Sequence, residues 1–335
     1  MINIALLGCG RIGQVHANSL LGIDGARVAA VCDAVPAAAD ALAERTGAKV
    51  MDTDAILADA DIDAVVIGTP TTTHYDLIHA AATEGKAIFC EKPIDLNADR
   101  IRDCLRIVSA HNVPFLVAFN RRFDPNFRAL KQQIDDGTVG DVEMITILSR
   151  DPNPPPIGYV KTSGGLFRDM MIHDFDMARF LLGEDPVEIF AQGSCLVNPE
   201  IGDAGDVDTA MVTLRTVSGK LCHISNSRRA TYGYDQRVEV HGSMGMVRAD
   251  NVLTTTVEVS TASGFCRAPT EPFFLERYSD AYRAEMLHFI DAVTTGNAPS
   301  PNGLDGFKAQ VIADAADASC TLGQPQTLDF TYSSI

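Results

Sequence analysis

Ile2-Asn3-Ile4-Ala5-Leu6-Leu7-Gly8-Cys9-Gly10-Arg11-Ile12-Gly13 is the stretch that decides the fold. An apolar run of strand length, Ile2–Leu7, meets the pattern Gly-x-Gly-x-x-Gly, and a helical pattern continues to about Leu21. Strand, glycine turn and helix in that order are the context in which this pattern binds a dinucleotide. Gly8 permits the tight turn, Gly10 lets the backbone approach a pyrophosphate, and Gly13 lets helix pack closely on strand. Arg11 and Ile12 fill the turn between them and open the helix. Its first N–H groups and positive dipole end face the phosphates. Asp33 comes about twenty residues after Gly13, at the end of the second apolar run. A carboxylate there accepts hydrogen bonds from ribose hydroxyls and repels a 2′-phosphate. With no Arg directly after it, NAD is the expected cofactor rather than NADP. A ligand-free glycine turn is the plain alternative.

Outward from this stretch, apolar runs alternate with helical patterns. Arg27–Cys32, Ile62–Ile67, Ala87–Cys90 and Val113–Ala118 read as strands. Helices are expected to about Thr46, from about Thr73 to Glu84, and over Ala98–His111. Continuously apolar strands between helices imply a parallel sheet covered on both faces. Past Asn120 the pattern changes. Val142–Leu148, Val187–Leu196, Val207–Val217, Lys220–Asn226, Gln236–His241 and Val252–Ser260 read as strands, several joined by hairpin turns such as Val217-Ser218-Gly219-Lys220. Helices are expected over about Asp169–Leu182, Ser279–Thr295 and Leu304–Leu322. The expected fold is α/β. A doubly wound parallel sheet over 1–121 binds NAD, and an α/β domain with a large open, mainly antiparallel sheet over 122–335 binds substrate. One face of that second sheet needs cover, which a second subunit would supply.

Composition excludes other classes. The 335 residues carry a formal net charge of −17, against a nucleic-acid face or a polybasic membrane surface. No apolar run approaches the roughly 20 residues that span a bilayer, and Met1-Ile2-Asn3-Ile4 lacks a signal peptide's basic start. None of the 8 cysteines forms a CxxC pair, so reduced thiols and a cytoplasmic location are expected. No GxSxG or P-loop pattern is present.

In a doubly wound sheet, ligands bind beyond the carboxyl ends of the strands. Gly68-Thr69-Pro70 comes after the third run, with His74 at the start of its helix. Glu91-Lys92-Pro93 comes after the fourth, and Asn120 after the fifth. Together they read as the rim of a cofactor and substrate cleft. Lys92 there would hydrogen-bond a substrate hydroxyl and stabilise developing alkoxide charge. An ion pair with Glu91 is the alternative. In Gly164-Gly165-Leu166-Phe167-Arg168-Asp169-Met170-Met171-Ile172-His173, one continuous helix would put Asp169 and His173 on one face, four residues apart. A carboxylate so placed suits the imidazole to remove a hydroxyl proton. A buried structural pair is the alternative. A metal site is not expected, because no second histidine stands at ligand spacing.

The combination GCGRIG, EKP and GGLFRDMMIHDFD resembles the family that includes glucose–fructose oxidoreductase and inositol dehydrogenase (Gfo/Idh/MocA). FNRRFDPNF (Phe119–Phe127), SRDPNPPP (Ser149–Pro156), MIHDFDMARFLLG (Met171–Gly183) and YGYDQRVEVHG (Tyr232–Gly242) are similar to its inositol 2-dehydrogenase branch. The resemblance covers nearly the whole chain. It implies a Rossmann domain, a second domain with a large open sheet, and homotetramers built through that sheet. It implies Lys92, Asp169 and His173 as the catalytic trio, and Asn120, Arg150, Asp151 and Tyr232 at the substrate. One departure is Arg150-Asp151-Pro152, where some inositol dehydrogenases carry a histidine. The implied reaction is NAD-dependent oxidation of myo- or scyllo-inositol to an inosose. An aldopyranose dehydrogenase of glucose type is the alternative. A nicotinamide-binding sensor without turnover is a third reading, although a sensor needs none of the trio.

Overall fold

The apolar runs of the first third pair side by side, all in one direction. The computed structural model describes Met1–Thr331. Its first elements are β1 (Ile2–Leu7), α1 (Arg11–Leu20), β2 (Ala26–Cys32), α2 (Pro36–Thr46), β3 (Lys49–Val50), α3 (Thr53–Ala58), β4 (Ala64–Ile67), α4 (His74–Thr83), β5 (Ala87–Cys90), α5 (Ala98–His111) and β6 (Phe115–Val117). The strands lie in the order β3-β2-β1-β4-β5-β6, and every pairing is parallel. This is the doubly wound order of a dinucleotide-binding sheet. β4, β5 and β6 are buried throughout, as strands covered on both faces must be. β3, two exposed residues, has too little apolar pattern to be read from sequence.

The register places the site. Leu7 pairs with Cys32 and Ile67, Ile67 with Cys90, and Cys90 with Val117. The last residues of five strands therefore form one row. The residues just beyond those strand ends, from Gly8 and Asp33 to Gly68 and Glu91, form the next row.

The second part holds α6 (Pro125–Asp135), β7 (Val142–Arg150), α7 (Ile157–Ser163), α8 (Gly165–Asp169), α9 (Ile172–Leu182), β8 (Pro186–Ser194), α10 (Pro199–Asp203), β9 (Thr209–Thr216), β10 (Leu221–Ser227), β11 (Asp235–Gly242) and β12 (Gly245–Ala249). Next come β13 (Glu258–Thr261), β14 (Gly264–Arg267), α11 (Phe274–Arg277), α12 (Ser279–Thr295), α13 (Gly303–Leu322) and β15 (Gln326–Thr327). The sheet order is β12-β11-β7-β10-β9-β8-β15, antiparallel except for β7 beside β10. Burial alternates along β9, as expected of a sheet covered on one face. α9 packs on β7. The opposite face exposes Met144, Met211, Leu221 and Met246.

Two expectations change. The strand read over Val252–Ser260 does not join the large sheet. Leu253 makes an isolated bridge to Thr270, and Glu258–Thr261 pairs with Gly264–Arg267 in a separate hairpin whose eight residues are all exposed. The alternating Thr and Val pattern has strand propensity but no apolar surface to cover. The edge strand β12 lies just upstream, paired with β11.

The helix read over Asp169–Leu182 is two helices. Met171 N bonds Leu166 O, five residues back, so one residue is looped out and the helical register shifts between Asp169 and His173.

Finally, the chain packs as two compact units. One contains Met1–Phe123 and Ser279–Gln310; the other contains Asp124–Tyr278 and Val311–Phe330. α12 thus lies in the first unit. It packs on α1, and Arg283 donates to Ser19 O, Leu21 O and Gly22 O at 3.1–3.4 Å. In α13, a Cβ on Gly306 would sit 2.6 Å from Ile94 Cδ1, so that glycine permits the close approach. An apolar stripe says that a helix is buried, not which sheet buries it.

Candidate active site

In the first unit, the glycine turn is held by geometry that side chains would break. Gly8 has φ +101°, and a Cβ there would lie 2.7 Å from the Gly68 carbonyl. A Cβ on Gly13 would lie 2.0 Å from Gly8 O. Gly10 differs: nothing lies within 4 Å of its Cβ position. It is exposed, it caps α1, and no side chain caps the helix. Gly10 has no side chain to cap α1, and open space lies on its side of the first turn. That cradle fits a pyrophosphate. Arg11 is exposed on the first turn of α1, and Ile12 packs over Gly68.

Asp33 stands in the adjoining row. Its Oδ2 accepts from Cys9 N at 2.6 Å and its Oδ1 from Val35 N at 2.7 Å. Two backbone donors fix the carboxylate beside the turn, where an adenosine ribose would meet it. The thiol of Cys9, in the same turn, is pushed up to about 11 by burial and by the Asp33 charge, so it is not nucleophilic there.

Around the other strand ends, Thr69 is half-buried and Pro70 exposed. The Thr69 hydroxyl accepts from Thr73 Oγ1 at 2.7 Å. His74 is 1% exposed, with Nδ1 2.9 Å from Pro93 O and Nε2 2.9 Å from Thr69 O. Both carbonyls belong to loops of the first unit, and a neutral ring, with one N–H, donates to one of them. Burial pulls its pKa down, against the pull of the two carbonyls and of Glu91 and Asp95. Glu91 is buried and meets His16 Nε2 at 2.8 Å. Lys92 is half-buried between Glu91 and the buried Pro93. Asn120 is 3% exposed, and its Nδ2 has no hydrogen-bond partner among the described residues. A buried amide donor left unsatisfied costs about 1–3 kcal/mol, which a bound hydroxyl or carbonyl would relieve.

In the second unit, Arg150 ends β7, in register with Ser227 of β10 and Asp235 of β11. Arg150 Nη1 donates to the Tyr232 hydroxyl at 3.0 Å, and that hydroxyl donates to Asp235 Oδ2 at 2.5 Å. Asp235 is fully buried. Burial alone would raise its pKa, but hydrogen bonds from Arg237, Tyr232 and Asn251 bring it below the usual carboxylate value. The structure thus joins two of the expected substrate residues, Arg150 and Tyr232. Asp151, half-buried, is next in the chain, with its N–H on Ser227 O at 3.0 Å.

Asp169 and His173 are both half-buried, at the end of α8 and the start of α9. The junction of the two helices, with its shifted register, lies between them. Asp169 accepts from the Tyr159 hydroxyl at 2.9 Å through Oδ1, and from both Arg228 Nη atoms at 3.5 Å through Oδ2. Arg228, 1% exposed, comes directly after β10 and also faces Asp206 at 4.0 Å. Asp174 is fully buried and accepts from Asn226 Nδ2 of β10 at 2.7 Å, which pins α9 to the sheet.

Tyr159, Arg228 and Asn226 carry no motif. The strand register that brings Ser227 beside Arg150 reveals Asn226 and Arg228, and the bond to Asp169 reveals Tyr159. Among the described residues, no group of three His, Cys, Asp or Glu is placed to hold a metal ion, and no helix is long and apolar enough to cross a membrane.

The chain is similar to known proteins along nearly its whole length. Residues 2–119 match the oxidoreductase family with an NAD-binding Rossmann fold, and residues 127–248 match the GFO/IDH/MocA C-terminal domain. The inositol 2-dehydrogenase of Rhizobium meliloti (strain 1021) is 56% identical over 315 residues, 94% of this chain and 96% of that protein. The crystal structure of a myo-inositol dehydrogenase from Corynebacterium glutamicum superposes with a TM-score of 0.94 at 42% identity, covering 98% of this chain and 99% of that one. The scyllo-inositol dehydrogenase of Lactobacillus casei, solved with bound NAD(H) and scyllo-inositol, superposes with a TM-score of 0.91 at 30% identity, covering 98% of this chain and 99% of that one.

Proposed function

The chain belongs to the GFO/IDH/MocA family of oxidoreductases, and from that premise we propose that it is an NAD-dependent inositol 2-dehydrogenase, oxidising myo- or scyllo-inositol to an inosose. The observation that carries this reading is the 56% identity to an inositol 2-dehydrogenase along 94% of the chain.

Gly8, Gly10, Gly13 and the first N–H groups of α1 would hold the pyrophosphate of NAD, and Asp33 would hold the adenosine ribose. Bound NAD supplies the hydride acceptor, chemistry that belongs to the nicotinamide itself. Lys92 donates a hydrogen bond to the reacting oxygen, where negative charge develops as the hydroxyl proton leaves, ahead of hydride loss from its carbon. His173 takes the hydroxyl proton. Asp169, itself held by Tyr159 and Arg228, assists that imidazole. Asn120, Arg150, Asp151 and Tyr232 meet the remaining ring hydroxyls. A planar guanidinium and a phenol are donors suited to adjacent hydroxyls.

We also propose that the protein assembles as a homotetramer through the open face of its second sheet, where Met144, Met211, Leu221 and Met246 are exposed. Eight free cysteines support a cytoplasmic location.

The test is NADH formation with myo-inositol, scyllo-inositol, D-glucose and L-glucose, each with NAD and with NADP. Turnover of an inositol with NAD is expected. Turnover of glucose alone, or with NADP alone, overturns the substrate or the cofactor assignment. NADH binding without turnover of any polyol supports the sensor reading.

A further inference from the structure

Two buried histidines flank the Glu91-Lys92-Pro93 segment in the first unit, and neither has a part in the proposed hydride transfer. His16, on α1, is 0% exposed. Its Nε2 lies 2.8 Å from Glu91 Oε1. Its other nitrogen, Nδ1, is buried with no hydrogen-bond partner among the described residues. Phe89 and Tyr282 wall the ring, edge to face, at 4.8 and 5.9 Å between centroids. An apolar side chain would fill this place without stranding a buried nitrogen. The polar contact that the imidazole does make is the one to Glu91.

His74, at the start of α4, spans the other side. Its two ring nitrogens each lie 2.9 Å from a backbone carbonyl, that of Pro93 on one side and that of Thr69 on the other. His16 therefore holds the residue before Lys92, and His74, in the tautomer with its proton on Nδ1, holds the residue after it. Both refer to the same place. His16 rides on the helix that leaves the glycine turn. Thr69 lies against that turn, its N only 2.8 Å from the Cβ position of Gly8.

We propose that His16 and His74 are positioning residues for Lys92, fixing its two chain neighbours to the frame that holds the cofactor phosphates. Neither ring touches substrate; each acts through the backbone of Lys92. The inference rests on the role of Lys92 in the proposed oxidation.

A double-mutant cycle with Lys92→Ala tests it. In the parent enzyme, His16→Leu and His74→Leu are expected to lower kcat about tenfold or more while the KM for NAD stays within about threefold. His16→Gln and His74→Gln each keep one amide donor and are expected to restore part of the loss. In the Lys92→Ala background, where turnover is followed by NADH fluorescence, the same leucine substitutions are expected to change kcat by less than about twofold. An equal fall in both backgrounds, or no fall in the parent, overturns the proposal.

A second readout needs no turnover. The rate at which acetic anhydride labels Lys92, read by mass spectrometry, is expected to change severalfold in the leucine variants while the other lysines stay constant. An unchanged Lys92 rate overturns the proposal. An inactive parent enzyme overturns the functional reading instead, and the labelling experiment still decides this one.

Discussion

Replacing Gly13 by Ala isolates the contact on which the cofactor cradle depends. The new Cβ would sit 2.0 Å from Gly8 O and 2.9 Å from Gly8 C, where real Cβ contacts do not fall below 3.0 Å. Both neighbours are backbone, so no flexible side chain absorbs the clash. The start of α1 and the glycine turn must part by about 1 Å, an overpacking cost of ~1–3 kcal/mol. Alanine returns up to ~1 kcal/mol through its helix propensity, leaving a net loss of ~2 kcal/mol for a backbone clash of this size. At ~2–4 °C per kcal/mol for a unit of this size, Tm falls by about 4–8 °C. The same displacement lengthens the N–H contacts to the pyrophosphate. Losing one charge-assisted hydrogen bond, ~1.5–3 kcal/mol, weakens NADH about tenfold or more.

Gly10→Ala is the control. Its Cβ meets nothing within 4 Å, and φ of −69° suits any residue. Tm should stay within about 1 °C, while NADH still weakens about tenfold because the methyl occupies the ligand's side of the turn. Thermal unfolding and NADH fluorescence titration read both variants. Unchanged Tm and NADH affinity in Gly13→Ala would refute the packing argument. Unchanged NADH affinity in Gly10→Ala would refute the placement of the pyrophosphate.

The other expectations concern single side chains. Asp33→Asn removes the charge that repels a 2′-phosphate, so the ratio of kcat/KM for NAD over NADP should fall about tenfold or more. An unchanged ratio would remove Asp33 from the ribose. His173→Ala should lower kcat by about 10²–10⁴ while the NADH dissociation constant holds, which separate kinetic and binding titrations resolve. Burial pulls the His74 pKa below its ordinary value of 6.5, so the unfolded chain holds a proton that the folded chain releases. That contribution to stability is full above 6.5 and is lost as pH falls toward the folded value. Between neutral pH and about 5, the Tm of the parent should therefore fall faster than that of His74→Gln. Parallel Tm curves would show that the ring does not titrate as described.

The elements that can be read from sequence are those fixed by local backbone demands. The turn at Gly8 and the close packing at Gly13 are legible, because a left-handed φ and a carbonyl 2.0 Å from a Cβ position are properties of a few residues. Buried strands such as Ala64–Ile67 announce themselves through continuous apolar runs. The break between Asp169 and His173 is not legible, since Met170 and Met171 are good helix formers and neither Gly nor Pro marks the slip. Arg228 is hidden for another reason. It reaches Asp169 across 59 positions only because β10 lies beside β7. His74 falls at the cofactor rim by its position in the chain, but the direction of its ring is set by Thr69 O and Pro93 O.

Hydride transfer from the oxidised carbon is the central claim, and isotope transfer reads it most directly. The enzyme would be supplied with NAD and myo-inositol deuterated at carbon 2, and the reduced cofactor examined by proton NMR. The expected result is one deuterium at carbon 4 of the nicotinamide for each inosose formed, with turnover slower than for unlabelled inositol. Reduced cofactor without deuterium, or consumption of inositol without reduction of NAD, would contradict it.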